Sequence, residues 1–268
     1  MPSPDLAAIA QRARSAAADP TVAARALPLI DLTSLSGTET DGDIEQLCER
    51  ALRHEVAAVC VYPSAVATAR RCLANGTVRL AAVANFPHGS DDLLGAVDEA
   101  AAAVDAGAEE IDVVVPLASV QAGDVGLVGD LVDLCRQTIG REITLKVILE
   151  TGLLREPDVI TAAARAAVMA GADFLKTSTG KTEIGATPEA ATLLLSVCDD
   201  AGGRVGFKAA GGIRTTADAA VYLALADEIL GRDWVSQRHF RLGASSLLDD
   251  LLRVLGRSDG KGAAGGGY

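Results

Sequence analysis

The sequence has few features of a protein that binds nucleic acid, spans a membrane or depends on disulfides. Its formal net charge is -12 at pH 7, whereas a nucleic-acid-binding protein is expected to present a basic surface. No window approaches about 18 consecutive apolar residues, so no membrane span is predicted. The 5 cysteines form no C-x-x-C pair, which favours buried thiols in a reducing compartment.

Metal ligands and a secretory signal are also not evident. The 3 histidines are far apart, and there is no H-x-x-x-H pattern or Cys/His cluster, so no metal site is predicted. The N-terminal segment contains Asp5, Arg12 and Arg14 without a long apolar stretch, which argues against a secretory signal. The expected location is therefore the cytoplasm.

Lysine is scarce, and its positions are informative. Of 24 basic residues, five are lysine and the other 19 are arginine. Lys146, Lys176 and Lys208 lie inside apolar, strand-like segments. Arginine stays protonated, whereas a lysine amine can become a nucleophile when burial or a neighbouring cation lowers its pKa. The distribution therefore indicates amine chemistry.

The chain alternates between two kinds of segment from residue 27 onward. With 268 residues, 49% hydrophobic composition and only 3% aromatics, it can build one large domain with an aliphatic core. Short β-branched runs predict eight strands, at 29–32, 57–62, 80–85, 110–115, 144–149, 174–178, 205–209 and 240–244. Longer Ala/Leu-rich stretches predict helices at about 41–54, 64–74, 91–106, 124–139, 157–170, 188–201, 215–230 and 246–256.

Eight strand-then-helix units match a (β/α)₈ TIM barrel better than an open doubly wound sheet. No G-x-G-x-x-G motif follows the first predicted strand, which weakens a dinucleotide-binding alternative. Residues 3–19 predict an extra leading helix. We expect one barrel domain over 1–256, with a helical extension at 1–26, and a flexible glycine-rich tail over 257–268.

Aspartate or lysine residues interrupt five of the predicted strands. Barrel strands are covered on both faces and should be almost entirely apolar, yet these carry Asp31, Asp112, Lys146, Lys176 and Lys208. A single lysine at a strand end can extend to solvent, and a single aspartate can cap a loop. On the neighbouring strands 4 to 7, however, four charges would meet in one small space, where this fold builds active sites.

This proximity predicts a reaction. Lys208, kept as an ammonium, would lower the pKa of Lys176 by like-charge repulsion and leave a neutral amine that attacks a carbonyl. Asp112 would relay protons to and from the carbinolamine and a substrate hydroxyl.

Two small-residue motifs follow the last two predicted strands. Gly211-Gly212 follows strand 7, while Gly243-Ala244-Ser245-Ser246 follows strand 8 and opens a helix. In this fold the loops after strands 7 and 8 often hold a phosphate. Each motif alone could be a glycine turn or an ordinary serine N-cap. On adjacent strands they favour a phosphate site, to which Lys181 could add charge.

The sequence resembles the deoxyribose-phosphate aldolase family. The matching segments occur in family order and span nearly the whole chain, at residues 31–33, 59–63, 85–89, 110–114, 145–152, 176–181, 207–214 and 243–248. The resemblance implies a metal-independent, cofactor-free class I aldolase, a carbon–carbon lyase. Such an enzyme reversibly cleaves 2-deoxy-D-ribose 5-phosphate to D-glyceraldehyde 3-phosphate and acetaldehyde.

The resemblance also implies roles for individual residues. Lys176 matches the Schiff-base lysine, Lys208 the second lysine that perturbs it, Asp112 the acid–base aspartate, and Tyr268 a tyrosine often found at the end of family members. The resemblance further suggests a homodimer. The residues expected to contribute to substrate binding are Asp31, Lys146, Thr179, Lys181, Gly211, Gly212, Ser245 and Ser246.

Tyr268 ends a tail that is otherwise rich in glycine and alanine. Such a tail could fold over the open face of a barrel, where the phenol could move the proton at the donor carbon. The alternative is a chain end without function.

Two other functions remain open from the residues alone. One is a Schiff-base barrel aldolase that acts on a longer keto-sugar phosphate. The other is a non-catalytic barrel that binds a phosphorylated ligand, although such a protein has no use for a lysine with a depressed pKa.

Overall fold

The structure is a computed structural model that describes residues 5–74 and 76–258. In this part of the chain eight parallel strands pair in sequence order, and the last pairs with the first to close a barrel. The strands are β1 (Ile30–Thr33), β2 (Ala58–Val61), β3 (Arg79–Ala84), β4 (Glu110–Val114), β5 (Thr144–Ile148), β6 (Phe174–Lys176), β7 (Gly206–Ala210) and β8 (Phe240–Ala244). The predicted single-domain TIM barrel is confirmed.

Helices surround the strands. They are α1 (Leu6–Ala13), α2 (Pro20–Ala26), α3 (Asp41–His54), α4 (Val66–Leu73), α5 (Leu93–Asp105), α6 (Leu117–Gln121), α7 (Gly126–Ile139), α8 (Thr151–Leu154), α9 (Pro157–Met169), α10 (Pro188–Asp200), α11 (Thr216–Ile229) and α12 (Leu247–Val254). The short helices α6 and α8 were not predicted. None of the described helices is long and apolar enough to cross a membrane.

The N-terminal extension differs from the prediction of one helix over 3–19. Helix α1 ends at Ala13, and a second helix begins at Pro20. The Asp19 side chain accepts a hydrogen bond from the Val22 N–H at 2.9 Å, and Pro20 occupies the first helical turn. This cap and proline define the start of α2, a helix that was not predicted, whereas the helix predicted over 3–19 is shorter in the structure.

Local signals explain where several barrel helices begin. The Thr187 hydroxyl accepts the Ala190 N–H at 3.1 Å, ahead of the first-turn Pro188, as the sequence predicts. Capping boxes open α3 at Thr40 and α11 at Thr215. Well-defined starts fix the lengths of the loops that join strands to helices, and these loops form one face of the barrel.

The barrel interior contains charged side chains, whereas the layer between strands and helices is aliphatic. Register places Asp112 beside Lys146 and Lys176 beside Lys208 on neighbouring strands. All four side chains are buried, and they meet at close range within the barrel. The tail beyond Ser258, including Lys261 and Tyr268, lies outside the described residues.

Candidate active site

Lys176 ends the short strand β6, at the C-terminal rim of the barrel. Its side chain is only 3% exposed, yet it lines a cavity that opens at this face. Lys176 Nζ lies 2.7 Å from Asp112 Oδ2. The amine therefore lies between a buried carboxylate below and an open cavity above.

Asp112 is the centre of the charged cluster. Its Oδ1 accepts a hydrogen bond from Lys146 at 2.7 Å, and its Oδ2 accepts from both Lys176 and Lys208, at 2.7 and 2.8 Å. Burial alone would raise the pKa of Asp112, but the three lysines hold it well below its usual value. Asp112 is therefore an ionised carboxylate.

Lys208 has a second carboxylate partner. Its Nζ lies 2.5 Å from Asp31 Oδ2 as well as 2.8 Å from Asp112. Burial would lower the pKa of Lys208, but these two carboxylates raise it above the ordinary lysine value. Gly243 on β8 leaves the necessary space, because a Cβ there would lie 3.0 Å from Lys208 Cε. Lys208 is thus held as an ammonium.

The pKa of Lys176 is shifted in the opposite direction. Burial is the largest cause and lowers it, Asp112 opposes the shift, and Lys208 lowers it further. The sequence predicts this direction and the contribution of Lys208, but not that removal from water is the larger cause.

A second group of charges lies beside Asp112. Lys146 Nζ is 2.6 Å from Glu110 Oε2, and Arg241 bridges Asp31 at 2.6 Å and Glu110 at 2.9 Å. The Arg241 guanidinium lies over the Phe174 ring, 5.6 Å from its centroid. Glu110 and Arg241 were not identified from the sequence, although both lie in predicted strands that otherwise should be apolar.

Asp31 and Lys146 do not line the cavity where substrate was expected. Both side chains are fully buried, and their partners are other charged residues of the barrel interior. The remaining residues expected to bind substrate do line the cavity, namely Thr179, Lys181, Gly211, Gly212, Ser245 and Ser246. Thr33 at the end of β1, residues 34–36 after it and Arg214 after β7 also line the cavity, and none of them was predicted to bind substrate.

The cavity has a volume of about 390 Å³ and two cations in its lining, Lys181 and Arg214. Ser246 stands immediately before α12, but its side chain makes no capping hydrogen bond. The ordinary N-cap alternative therefore does not explain this serine. Gly212 has φ +83°, a conformation that favours glycine, and a Cβ there would meet no atom within 4 Å.

Glu150 organises the loop after β6. The buried carboxylate accepts hydrogen bonds from the Thr179 hydroxyl, from the Thr179 N–H at 3.1 Å and from the Thr182 hydroxyl at 3.2 Å. The loop also approaches the turn after β7 closely, because a Cβ on Gly185 would lie 2.4 Å from the Gly211 oxygen. These contacts fix the positions of Thr179 and Lys181 relative to Lys176.

No group of three or more His, Cys, Asp or Glu side chains that could hold a metal ion occurs within residues 5–74 and 76–258. The chemistry that these residues offer is that of a buried amine, an ionised carboxylate and a second, protonated amine, beneath a cavity with cationic groups.

The sequence model of the DeoC/LacD family aldolases matches residues 25–253. A candidate deoxyribose-phosphate aldolase from Coccidioides immitis is 32% identical, with 87% of this chain and 85% of that chain covered and a TM-score of 0.76. A second, from Toxoplasma gondii ME49, is 25% identical, with 88% and 95% covered and a TM-score of 0.82. The tetrameric deoxyribose phosphate aldolase of Aeropyrum pernix is 28% identical, with 93% and 97% covered and a TM-score of 0.71.

Proposed function

This chain belongs to the DeoC/LacD family of aldolases, and we propose that it reversibly cleaves 2-deoxy-D-ribose 5-phosphate to D-glyceraldehyde 3-phosphate and acetaldehyde through a Schiff base on Lys176. The observation that carries the proposal is the contrast between Lys176 and Lys208. They share Asp112, but the pKa of Lys176 is lowered and that of Lys208 is raised. A class I aldolase needs one lysine as a neutral nucleophile.

The first step joins the amine to the substrate aldehyde. The lone pair of Lys176 Nζ attacks C1 of the open-chain sugar, and a proton moves from nitrogen to the new hydroxyl. Asp112, 2.7 Å from Nζ, is placed to carry that proton. The carbinolamine hydroxyl then takes up a proton from solvent, relayed by Asp112, and leaves as water, which gives a protonated imine.

The second step breaks the bond between C2 and C3. Asp112 relays the proton away from the C3 hydroxyl, whose oxygen becomes the aldehyde of D-glyceraldehyde 3-phosphate. The electrons of the broken C2–C3 bond form an enamine on Lys176. Protonation of the enamine carbon gives the acetaldehyde imine, and water releases acetaldehyde and the free amine. Tyr268 is our candidate for the protonation at carbon, and it lies outside the described residues.

Part of the cavity lining suits a phosphate. Lys181 and Arg214 supply positive charge, and Gly211, Gly212 and Ser246 place small residues at two adjacent loops and a helix start. Helix N-termini and exposed backbone N–H groups bind anions well. We therefore assign these residues, with Thr179 and Ser245, to the phosphate-bearing part of the substrate.

Asp31 and Lys146 receive a different role from the one the resemblance implies. Because both are fully buried and pair with Lys208 and Asp112, we assign them to positioning the charged cluster and not to substrate contact.

The test is trapping with borohydride, followed by intact mass. Acetaldehyde should give an ethyl adduct that forms without added metal, and 2-deoxy-D-ribose 5-phosphate should give the same adduct after cleavage. An adduct with a keto-sugar phosphate alone would replace this proposal with the longer-substrate aldolase. No adduct with any carbonyl compound would favour the non-catalytic phosphate-binding barrel.

The oligomeric state of the protein needs its own measurement. The Aeropyrum pernix neighbour is a tetramer, whereas the sequence resemblance suggests a homodimer. Light scattering on the purified protein distinguishes the two.

A further inference from the structure

The charged side chains inside the barrel form one connected set, which we call the lumen network. Its members are each within ion-pair distance of another member, and none is more than 5% exposed. They are Asp31, Glu110, Asp112, Lys146, Lys176, Lys208 and Arg241. Because water cannot screen these charges, the balance of positive and negative groups decides which of them ionise.

The lumen network has more basic groups than carboxylates. Three carboxylates face three lysines and one arginine, so the lumen network is neutral only when one base gives up its proton. Arg241 stays protonated under ordinary conditions. Lys146 contacts Glu110 and Asp112, and Lys208 contacts Asp31 and Asp112. Among the carboxylates of the described residues, Lys176 pairs with Asp112 alone, so it holds the surplus proton least firmly.

We propose that the opposite charges of Glu110 and Arg241 balance each other in the lumen network, so that losing either charge alone changes the protonation of Lys176, which the proposed function needs as a neutral amine. Neither residue touches Lys176 or lines the cavity, and both are positioning residues. Arg241 acts through Asp31 and Lys208, whereas Glu110 acts through Lys146 and Asp112. The inference rests on the proposed Schiff-base function and identifies what tunes its nucleophile.

The groups that face Lys176 come from several strands. Asp112 on β4 raises its pKa, Lys208 on β7 lowers it, and Cys60 on β2 is a third neighbour. Burial and Asp112 raise the pKa of the Cys60 thiol, so it is uncharged near neutral pH. When the positive charge of Arg241 is removed, Lys176 should therefore be the group that takes up a proton to compensate for it.

The experiment compares charge variants by the pH at which acetaldehyde trapping on Lys176 reaches half its maximum, with cyanoborohydride as reductant. Arg241→Met leaves a surplus negative charge, so the midpoint should rise by about one pH unit, a tenfold change in the neutral fraction. Glu110→Gln leaves a surplus positive charge, so the midpoint should fall by about the same amount.

Two further variants separate charge from shape. The double variant Glu110→Gln/Arg241→Met restores neutrality and should bring the midpoint back to the parent value. Arg241→Lys keeps the charge but loses the planar, two-pronged guanidinium, so its midpoint should stay close to the parent value. Circular dichroism melts identify any variant that does not fold.

The outcomes separate this inference from the function it rests on. If the parent forms no adduct, the proposed function fails and the inference fails with it. If the parent forms the adduct but the two single variants shift the midpoint in the same direction, or not at all, only the inference is overturned. Should Arg241→Met not fold, a Glu110→Gln midpoint equal to the parent value overturns it.

Discussion

Lys176 and Lys208 donate to the same oxygen atom of Asp112, at 2.7 and 2.8 Å. The two amines differ in what else they touch. Lys208 has a second carboxylate, Asp31, whereas Lys176 faces the cavity. This difference gives one lysine a stable charge and the other a depressed pKa, and it supports Lys176 as the proposed nucleophile.

Lys208→Leu should suppress activity at neutral pH. Without the Lys208 charge, Lys176 becomes the ammonium that Asp112 needs, and its pKa should rise toward the free-lysine value of about 10.4. A protonated amine cannot attack, so the rate should fall at pH 7 and recover partly as the pH rises toward that value. The measurement is the rate against pH.

The matched control is Lys181→Leu, which removes a lysine from the cavity lining and leaves the lumen network intact. Its KM should rise without a shift in the pH profile. A parental pH profile in Lys208→Leu would show that Lys208 does not set the charge state of Lys176.

Glu150→Gln should weaken substrate binding without affecting the nucleophile. Glutamine can replace only one of the two acceptor oxygens, so the loop with Thr179 and Lys181 loses hydrogen bonds to a charged group, which are worth about 1.5–3 kcal/mol each. We expect KM for the phosphorylated substrate to rise about tenfold or more. Adduct formation with acetaldehyde should stay at the parental level.

Glu156→Gln, at an exposed glutamate before α9, is the control for Glu150→Gln and should change neither quantity. A loss of the acetaldehyde adduct in Glu150→Gln, with KM unchanged, would contradict a role in loop position.

Ser246→Asp should discriminate between phosphorylated and unphosphorylated substrates. It introduces a negative charge into the lining of the proposed phosphate site. KM should rise far more for 2-deoxy-D-ribose 5-phosphate than for 2-deoxy-D-ribose, which lacks the dianion. Ser15→Asp adds the same charge at an exposed residue of the N-terminal segment and serves as the control. Equal effects of Ser246→Asp on both substrates would reject the phosphate site.

Tyr268→Phe should lower kcat by about 10² or more, because general acid–base catalysis contributes about 10² to 10⁴ in rate. The melting temperature and the yield of the acetaldehyde adduct should barely change, since the phenol is proposed to act after the imine has formed. A Tyr268→Phe enzyme with the parental kcat would leave the tail without a catalytic role.

Much of this architecture is predictable from the sequence because each strand and helix has a local pattern. Eight β-branched runs separated by helical stretches indicate the barrel, and charges within those runs indicate the site. The start of α2 was also locally encoded, by Asp19 and Pro20, although the helix was not predicted.

Other features depend on closure of the barrel. Arg241 on β8 meets Glu110 on β4, 131 residues earlier, only because the strands curve into a ring. No local pattern shows that pairing, and none shows that Asp31 and Lys146 lie outside the cavity lining. The dominant effect of burial on the pKa of Lys176 depends on the same packing, because one sequence segment does not reveal how much water it excludes.

The central claim is that Lys176 forms the Schiff base, and peptide mapping tests it directly. The protein is reduced with borohydride in the presence of acetaldehyde, digested, and analysed by tandem mass spectrometry, with Lys176→Ala treated in parallel. We predict an ethyl group on Lys176 and no other lysine of the barrel interior, and no adduct in Lys176→Ala. Modification of Lys146 or Lys208, with Lys176 unmodified, would contradict the account.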